Sequence, residues 1–133
     1  MKFKRDFQCV KDIMKPKVIF IDGMANAKEA IELMRKEKVE ALIVKKRNKN
    51  DAYGIVVVTD LIKGVIIADK DISEVNVFEI MSKPVISVPE GMDVKYVANL
   101  LMSIGYRTAP VQEGSEYIGM VSINDLILDN LFL

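Results

Sequence analysis

Residues 10–21, VKDIMKPKVIFI, return at 77–88 as VFEIMSKPVISV, and no other feature constrains the fold as strongly as this internal repeat. A spacing of 67 residues carries Val10, Ile13, Met14, Val18 and Ile19 onto Val77, Ile80, Met81, Val85 and Ile86. It also carries Leu33 onto Leu100 and Val44 onto Val111 without a gap. Two extra residues in KKRNKNDAY then shorten the spacing to 65, and Gly54, Val56, Asp60, Leu61 and Ile62 meet Gly119, Val121, Asp125, Leu126 and Ile127. Apolar coincidences are common in a chain that is 50% hydrophobic, but an almost ungapped match that also carries glycine and aspartate is not. Such a repeat marks one supersecondary unit that needs a neighbour to bury one of its faces.

Each copy has the same local signals. VIFI and VISV are β-branched runs and predict strands. Asn26 with Glu29 has capping-box spacing, and Ala27, Ala30, Ile31 and Met34 form a helical apolar stripe. In the second copy Asp93 is the expected cap, with Val94, Val97, Ala98 and Leu101 as the stripe. ALIV (41–44) and YGIVVV (53–58) predict two strands across a polar turn, matched by TAPV (108–111) and YIGMV (117–121). LIKGVIIA and LILDNLFL then predict helices starting just after an aspartate. The expected fold is α/β (α+β): two β-α-β-β-α repeats, each marginal alone at roughly sixty residues, packed sheet to sheet about a pseudo-twofold axis. The expected boundaries are repeat 1 at 7–69, a linker at 70–76 and repeat 2 at 77–133, which leaves two related clefts beside the strand-to-helix corners.

Composition excludes several classes of function. Nineteen basic residues balance nineteen acidic ones, so no net field draws the chain to nucleic acid or an anionic membrane. The apolar runs IVVV and VII fall far short of a bilayer span, and MKFKRDFQ has no apolar stretch of the kind a signal peptide needs. Cys9 is the single cysteine and there is no histidine, which removes catalytic triads, the commonest general base and most zinc sites. The expectation is a cytoplasmic, non-enzymatic protein with no metal. Cys9, Met14 and Met81 read as small or flexible core fillers, the run KKRNK as a solvated turn, and the apolar end LDNLFL as core or a dimer contact.

The chemistry is concentrated in GIVVVTDL (54–61) and GMVSINDL (119–126). A glycine admits a close backbone, and the strand delivers polar residues to the first turn of a helix, where free amides favour an anion such as phosphate. A serine hydroxyl adds a neutral hydrogen bond to that anion. A carboxylate instead suits two vicinal hydroxyls, so phosphate and diol together point to a ribonucleotide. The competing reading is structural: Ser, Thr, Asn and Asp before a helix are commonly caps and nothing more.

The IM-x-x-x-V openings, the helix stripes, the A-P-V of the second copy and the two G-h-V-x-x-[TN]-D-L corners together resemble a tandem pair of CBS domains, the Bateman module, over residues 7–133. The resemblance implies a regulatory module that binds AMP, ADP, ATP or S-adenosylmethionine, requires no other cofactor, pairs into a homodimer and controls an unidentified partner. It implies one ligand set of Asp125, Asn124, Ser122 and Met120 with Ile19, Val39, Glu40 and Ala41. The other is Asp60, Thr59 and Ile55 with Ile86, Tyr106, Arg107 and Thr108. Each departs from the family pattern once: Glu40 stands where a phosphate would run, and Val57 replaces the usual Ser or Thr. On that basis the Asp60 set suits a multiply phosphorylated nucleotide, and the Asp125 set adenosine or a monophosphate. The alternative from another class is a ligand-free dimerisation or protein-interaction module in which both aspartates are caps.

Overall fold

The computed structural model describes residues 8–130. They form two compact units whose limits are set by packing, not by the recurrence of the sequence. One runs Ile19–Val85; the other joins the described residues up to Val18 to those from Ile86 onward. The stretch 70–76, expected as a linker, belongs to the 19–85 unit. Val75 is 2% exposed in its core, and its carbonyl accepts the Ala27 N–H at 2.7 Å.

In the 19–85 unit, β1 (Phe20–Ile21), α1 (Ala27–Glu37), β2 (Ala41–Val44), β3 (Gly54–Val57), α2 (Val58–Leu61) and α3 (Val77–Ile80) follow in order, with a π-helical extension of α2 over Ile62–Ile67. The sheet order is β1-β2-β3, with β1 parallel to β2 and β3 antiparallel, Ala41 opposite Val57 and Val44 opposite Gly54. Helix α1 starts where expected because the Asn26 side chain accepts the Glu29 N–H at 2.9 Å. Its buried stripe of Ala27, Ala30 and Met34 packs on Leu42, Val44 and Val56. The run KKRNK is an exposed turn, in which Asp51 accepts the Arg47 N–H at 2.9 Å. The Lys83 ammonium, and then Arg47, hold the Asp51 carboxyl well below the usual carboxylate range.

The other unit repeats this plan. A 3-10 turn at Val10–Asp12 precedes β4 (Val88–Pro89), α4 (Val94–Ile104), β5 (Thr108–Glu113), β6 (Glu116–Ser122) and α5 (Ile123–Ile127). The sheet order is β4-β5-β6, again one parallel and one antiparallel pair, with Thr108 opposite Ser122 and Val111 opposite Gly119. Asp93 caps α4 through the Lys95 N–H at 3.1 Å. Helix α4 ends on Gly105 in the left-handed region (φ 72°), where α1 ends on Lys38 at φ 56°, a conformation that costs a side chain more than it costs glycine. Buried Gln8 and Asn130 exchange side-chain amide bonds of 3.1 and 3.0 Å, which ties the first described residue to the last.

Four sequence expectations change in detail. VIFI shrinks to the strand Phe20–Ile21, and VISV contributes only Val88 to the strand Val88–Pro89, because those are the residues that pair with the neighbouring strand. Both corner helices begin before their aspartate, so Asp60 and Asp125 are the third helical residue of α2 and α5. Cys9 is half-buried, not a core residue. Of LDNLFL, residues 131–133 lie outside the described residues; Leu128 is 76% exposed and Asn130 is buried.

The two Ile-Met segments have one job in common. Lys15 and Met120 exchange two backbone hydrogen bonds, both 2.9 Å, and Ser82 and Ile55 do the same at 2.9 Å. Beneath each crossing lies the repeated glycine. A β-carbon on Gly119 would come within 2.5 Å of Met14 Sδ and 2.7 Å of the Lys15 carbonyl oxygen; on Gly54 it would meet Met81 Sδ at 2.8 Å and the Ser82 carbonyl oxygen at 3.2 Å. Met14 and Met81 therefore pack over the corner glycines, a more specific role than filling core space. Gly119→Ala is expected to lower unfolding free energy by about 1–3 kcal/mol, because backbone as well as a flexible thioether must move. Gly54→Ala should cost less, and Gly91→Ala, with nothing within 4 Å of the added carbon, close to nothing. Urea denaturation of the three variants checks the ranking.

Candidate functional site

The Asp125 corner is built by β6 running into α5. Met120 faces the Lys15 crossing, Ser122 is the cap residue, Asn124 is exposed, and Asp125 is 2% exposed. Ser122 Oγ accepts the Asp125 N–H at 3.2 Å, and Asp125 Oδ2 accepts the Ser122 N–H at 2.8 Å, so the two close a reciprocal capping box. The other carboxylate oxygen, Oδ1, is bonded to the Lys15 ammonium, which also reaches Asp129 Oδ2 at 3.2 Å. Hydrogen bonds to Asp125 and then Asp129 hold the Lys15 ammonium above its ordinary pKa, so it is charged at neutral pH.

The Asp60 corner has the same backbone and different occupancy. Val57 takes the cap position of α2 and offers no side-chain acceptor, leaving one half of the box: Asp60 Oδ2 accepts the Val57 N–H at 2.9 Å. Among the described residues no group bonds to Asp60 Oδ1. Burial pushes the Asp60 carboxyl above its ordinary value of 3.8, opposed by the Val57 N–H and by the nearby Lys63 charge. Thr59 beside it is exposed and Ile55 is buried. The position equivalent to Lys15 is Ser82, whose backbone makes the crossing.

Each unit also gathers the residues that enter its second long strand. In the 19–85 unit the Glu40 carbonyl accepts the Val58 N–H at 3.2 Å, Ala41 lies opposite Val57, half-buried Val39 packs on the core, and the Ile19 carbonyl accepts the Ile43 N–H at 2.9 Å. In the other unit the Arg107 carbonyl accepts the Ile123 N–H at 2.9 Å, and Thr108 Oγ1 donates to the Val121 carbonyl at 3.0 Å. Tyr106 packs on the core there and Ile86 is exposed. The companions expected for Asp125 (Ile19, Val39, Glu40, Ala41) thus belong to the 19–85 unit, and those expected for Asp60 (Ile86, Tyr106, Arg107, Thr108) to the other. Side chains that sequence reasoning passed over are Lys15, Asp129 and Lys63. Two signals for them were present: Lys15 breaks the repeat against Ser82, and Asp129 follows Asp125 by four residues, one helical turn.

With this geometry in hand, the family is plain. The CBS domain model matches residues 10–67 and 77–129, so the chain belongs to the CBS-domain family and carries a tandem pair, a Bateman module. Proteins built on such pairs are often regulatory. A hexameric CBS-CP12 protein from bloom-forming cyanobacteria is 35% identical with a TM-score of 0.88, covering 94% of this chain and 72% of that one. A conserved CBS domain protein of unknown function from Thermoplasma acidophilum is 29% identical with a TM-score of 0.81, over 91% of this chain and 68% of that one. An uncharacterized protein of Methanopyrus kandleri is 29% identical over 119 residues, 89% of this chain; the chain spans 60% of that relative's length. No helix among the described residues is long and apolar enough to cross a membrane.

The raised Asp60 pKa fixes the sign of a pH effect. A carboxyl whose folded value is raised costs stability while ionised, and the cost vanishes once pH falls below the unfolded value. Wild-type stability relative to Asp60→Asn is therefore expected to increase as pH is lowered from neutral to about 4. Paired urea titrations across that window read the difference; a constant offset would show that Asp60 is not perturbed by burial.

Proposed function

We propose that this CBS pair is a regulatory module without catalysis of its own, working in the cytoplasm, which takes an adenosine ligand (AMP, ADP, ATP or S-adenosylmethionine) at its strand-to-helix corner and controls a partner protein in response. The observation that carries this reading is the Asp60 carboxylate. One oxygen is fixed by the Val57 N–H and the other is without a bonded partner among the described residues, at a half-buried position beside the exposed Thr59. A carboxylate oriented by the backbone and partly shielded from water is a good acceptor for two vicinal hydroxyls, since hydrogen bonds to a charged group contribute roughly 1.5–3 kcal/mol. The signal is a population shift, limited in size by the difference in ligand affinity between two packings of the module.

Asp60→Ala is expected to weaken adenine nucleotide binding about 10–100-fold, the same hydrogen-bond range expressed as affinity. A thermal-shift panel of AMP, ADP, ATP and S-adenosylmethionine, with GTP as control, reads the effect. A ligand at a hundred times its dissociation constant adds about 2.7 kcal/mol to stability. A fold that ignores every one of these ligands would reject the sensor and leave the aspartates as caps.

A second role, self-association, is favoured by exposed apolar residues at matching repeat positions. Ile62 is 40% exposed and its counterpart Ile127 65%, flanked by Ile66 at 72% and Leu128 at 76%. The cyanobacterial CBS-CP12 relative is hexameric. We propose that these faces pair copies of this chain, as the family resemblance implies for a homodimer. Ile127→Glu combined with Ile66→Glu should shift sedimentation velocity toward the monomer without loss of helical signal; unchanged sedimentation of a wild-type oligomer would place the interface elsewhere.

A further inference from the structure

The two corners share a backbone and differ in one cation. Asp125 has both oxygens engaged, Oδ2 by the Ser122 N–H and Oδ1 by Lys15, and is 2% exposed. Asp60 has one oxygen engaged and is half-buried. The Lys15 backbone is fixed, its N–H and C=O both bonded to Met120, and its ammonium also contacts a second carboxylate, Asp129. In the other unit the same crossing is made by Ser82, whose short side chain carries no charge to the corner. A diol approaching Asp125 must therefore displace an ammonium from a buried carboxylate, whereas among the described residues no side chain is bonded to the second oxygen of Asp60.

Resting on the adenosine-ligand reading above, we infer that Lys15 is a built-in lock on the Asp125 corner, so that the module takes one ligand per chain, at Asp60. Lys15 acts as the residue that makes two repeats of one sequence chemically unequal. This departs from the sequence expectation that the Asp125 corner takes adenosine or a monophosphate. The Asp125 corner has the fuller set of Ser122, Asn124 and Asp125, yet its hydroxyl and carboxylate are spent on each other and on Lys15.

Equilibrium dialysis of the full chain with AMP, and separately with ATP, tests the lock by counting sites. Wild type should bind one equivalent, lost in Asp60→Asn and kept in Asp125→Asn. Lys15→Ser, which installs the residue of the other crossing, should bind two, the second lost when Asp125→Asn is added. If Lys15→Ser does not fold by circular dichroism, Lys15→Met keeps the long stem without the charge and should give the same count. One equivalent in a folded Lys15 variant would overturn the lock. So would wild-type binding that survives Asp60→Asn and needs Asp125, an outcome that leaves the sensor reading standing. Binding of neither nucleotide to any of these proteins would remove the sensor reading and the lock with it.

Discussion

Each unit depends on a backbone crossing over a glycine. Two reciprocal hydrogen bonds join Lys15 to Met120 and Ser82 to Ile55, and Gly119 and Gly54 remove the β-carbon that would otherwise collide with the crossing chain. The bonds satisfy strand groups that would stay unpaired, and the absent β-carbon lets Met14 and Met81 lie directly on the sheet. This contact settles why the units depart from the sequence repeats. The opening of repeat 1, residues 8–18, is packed with the second sheet, and the opening of repeat 2, residues 77–85, with the first.

The crossing also decides the chemistry of the corners. A crossing residue is held beside the point where strand turns into helix, and from there the long Lys15 side chain reaches the aspartate at the third helical position. With serine there, the carboxylate keeps an oxygen for something else; with lysine there, an ion pair fills it. The exposed Lys15 stem means that the pair is partly screened by solvent, so it contributes little to stability for its short distance.

Duplication explains how one chain holds two such states. Two copies of a β-α-β-β-α unit start with equal corners, and single changes then separate them: Lys15 against Ser82, Ser122 against Val57, Leu128 against Lys63. Each change alters charge or hydrogen-bonding capacity at the corner. Such changes alter the polar groups at each corner while the apolar residues shared by the repeats keep both cores intact.

The sequence by itself determined the repeat, the fold class, the helices capped by Asn26 and Asp93, the long strand pairs and the location of the two aspartate corners. Those features are written in local periodicity, capping chemistry and recurrence, which need no knowledge of distant contacts. Tertiary structure alone decided the short extent of β1 and β4, the seating of Val75 in a core, and the burial of Asp125. It also decided that Lys15, 110 residues away in the chain, pairs with Asp125, while among the described residues Asp60 keeps one oxygen without a bonded partner. The reason is physical: an ion pair between distant residues has no local periodicity, and its existence depends on which backbone groups the crossing brings within a few ångströms.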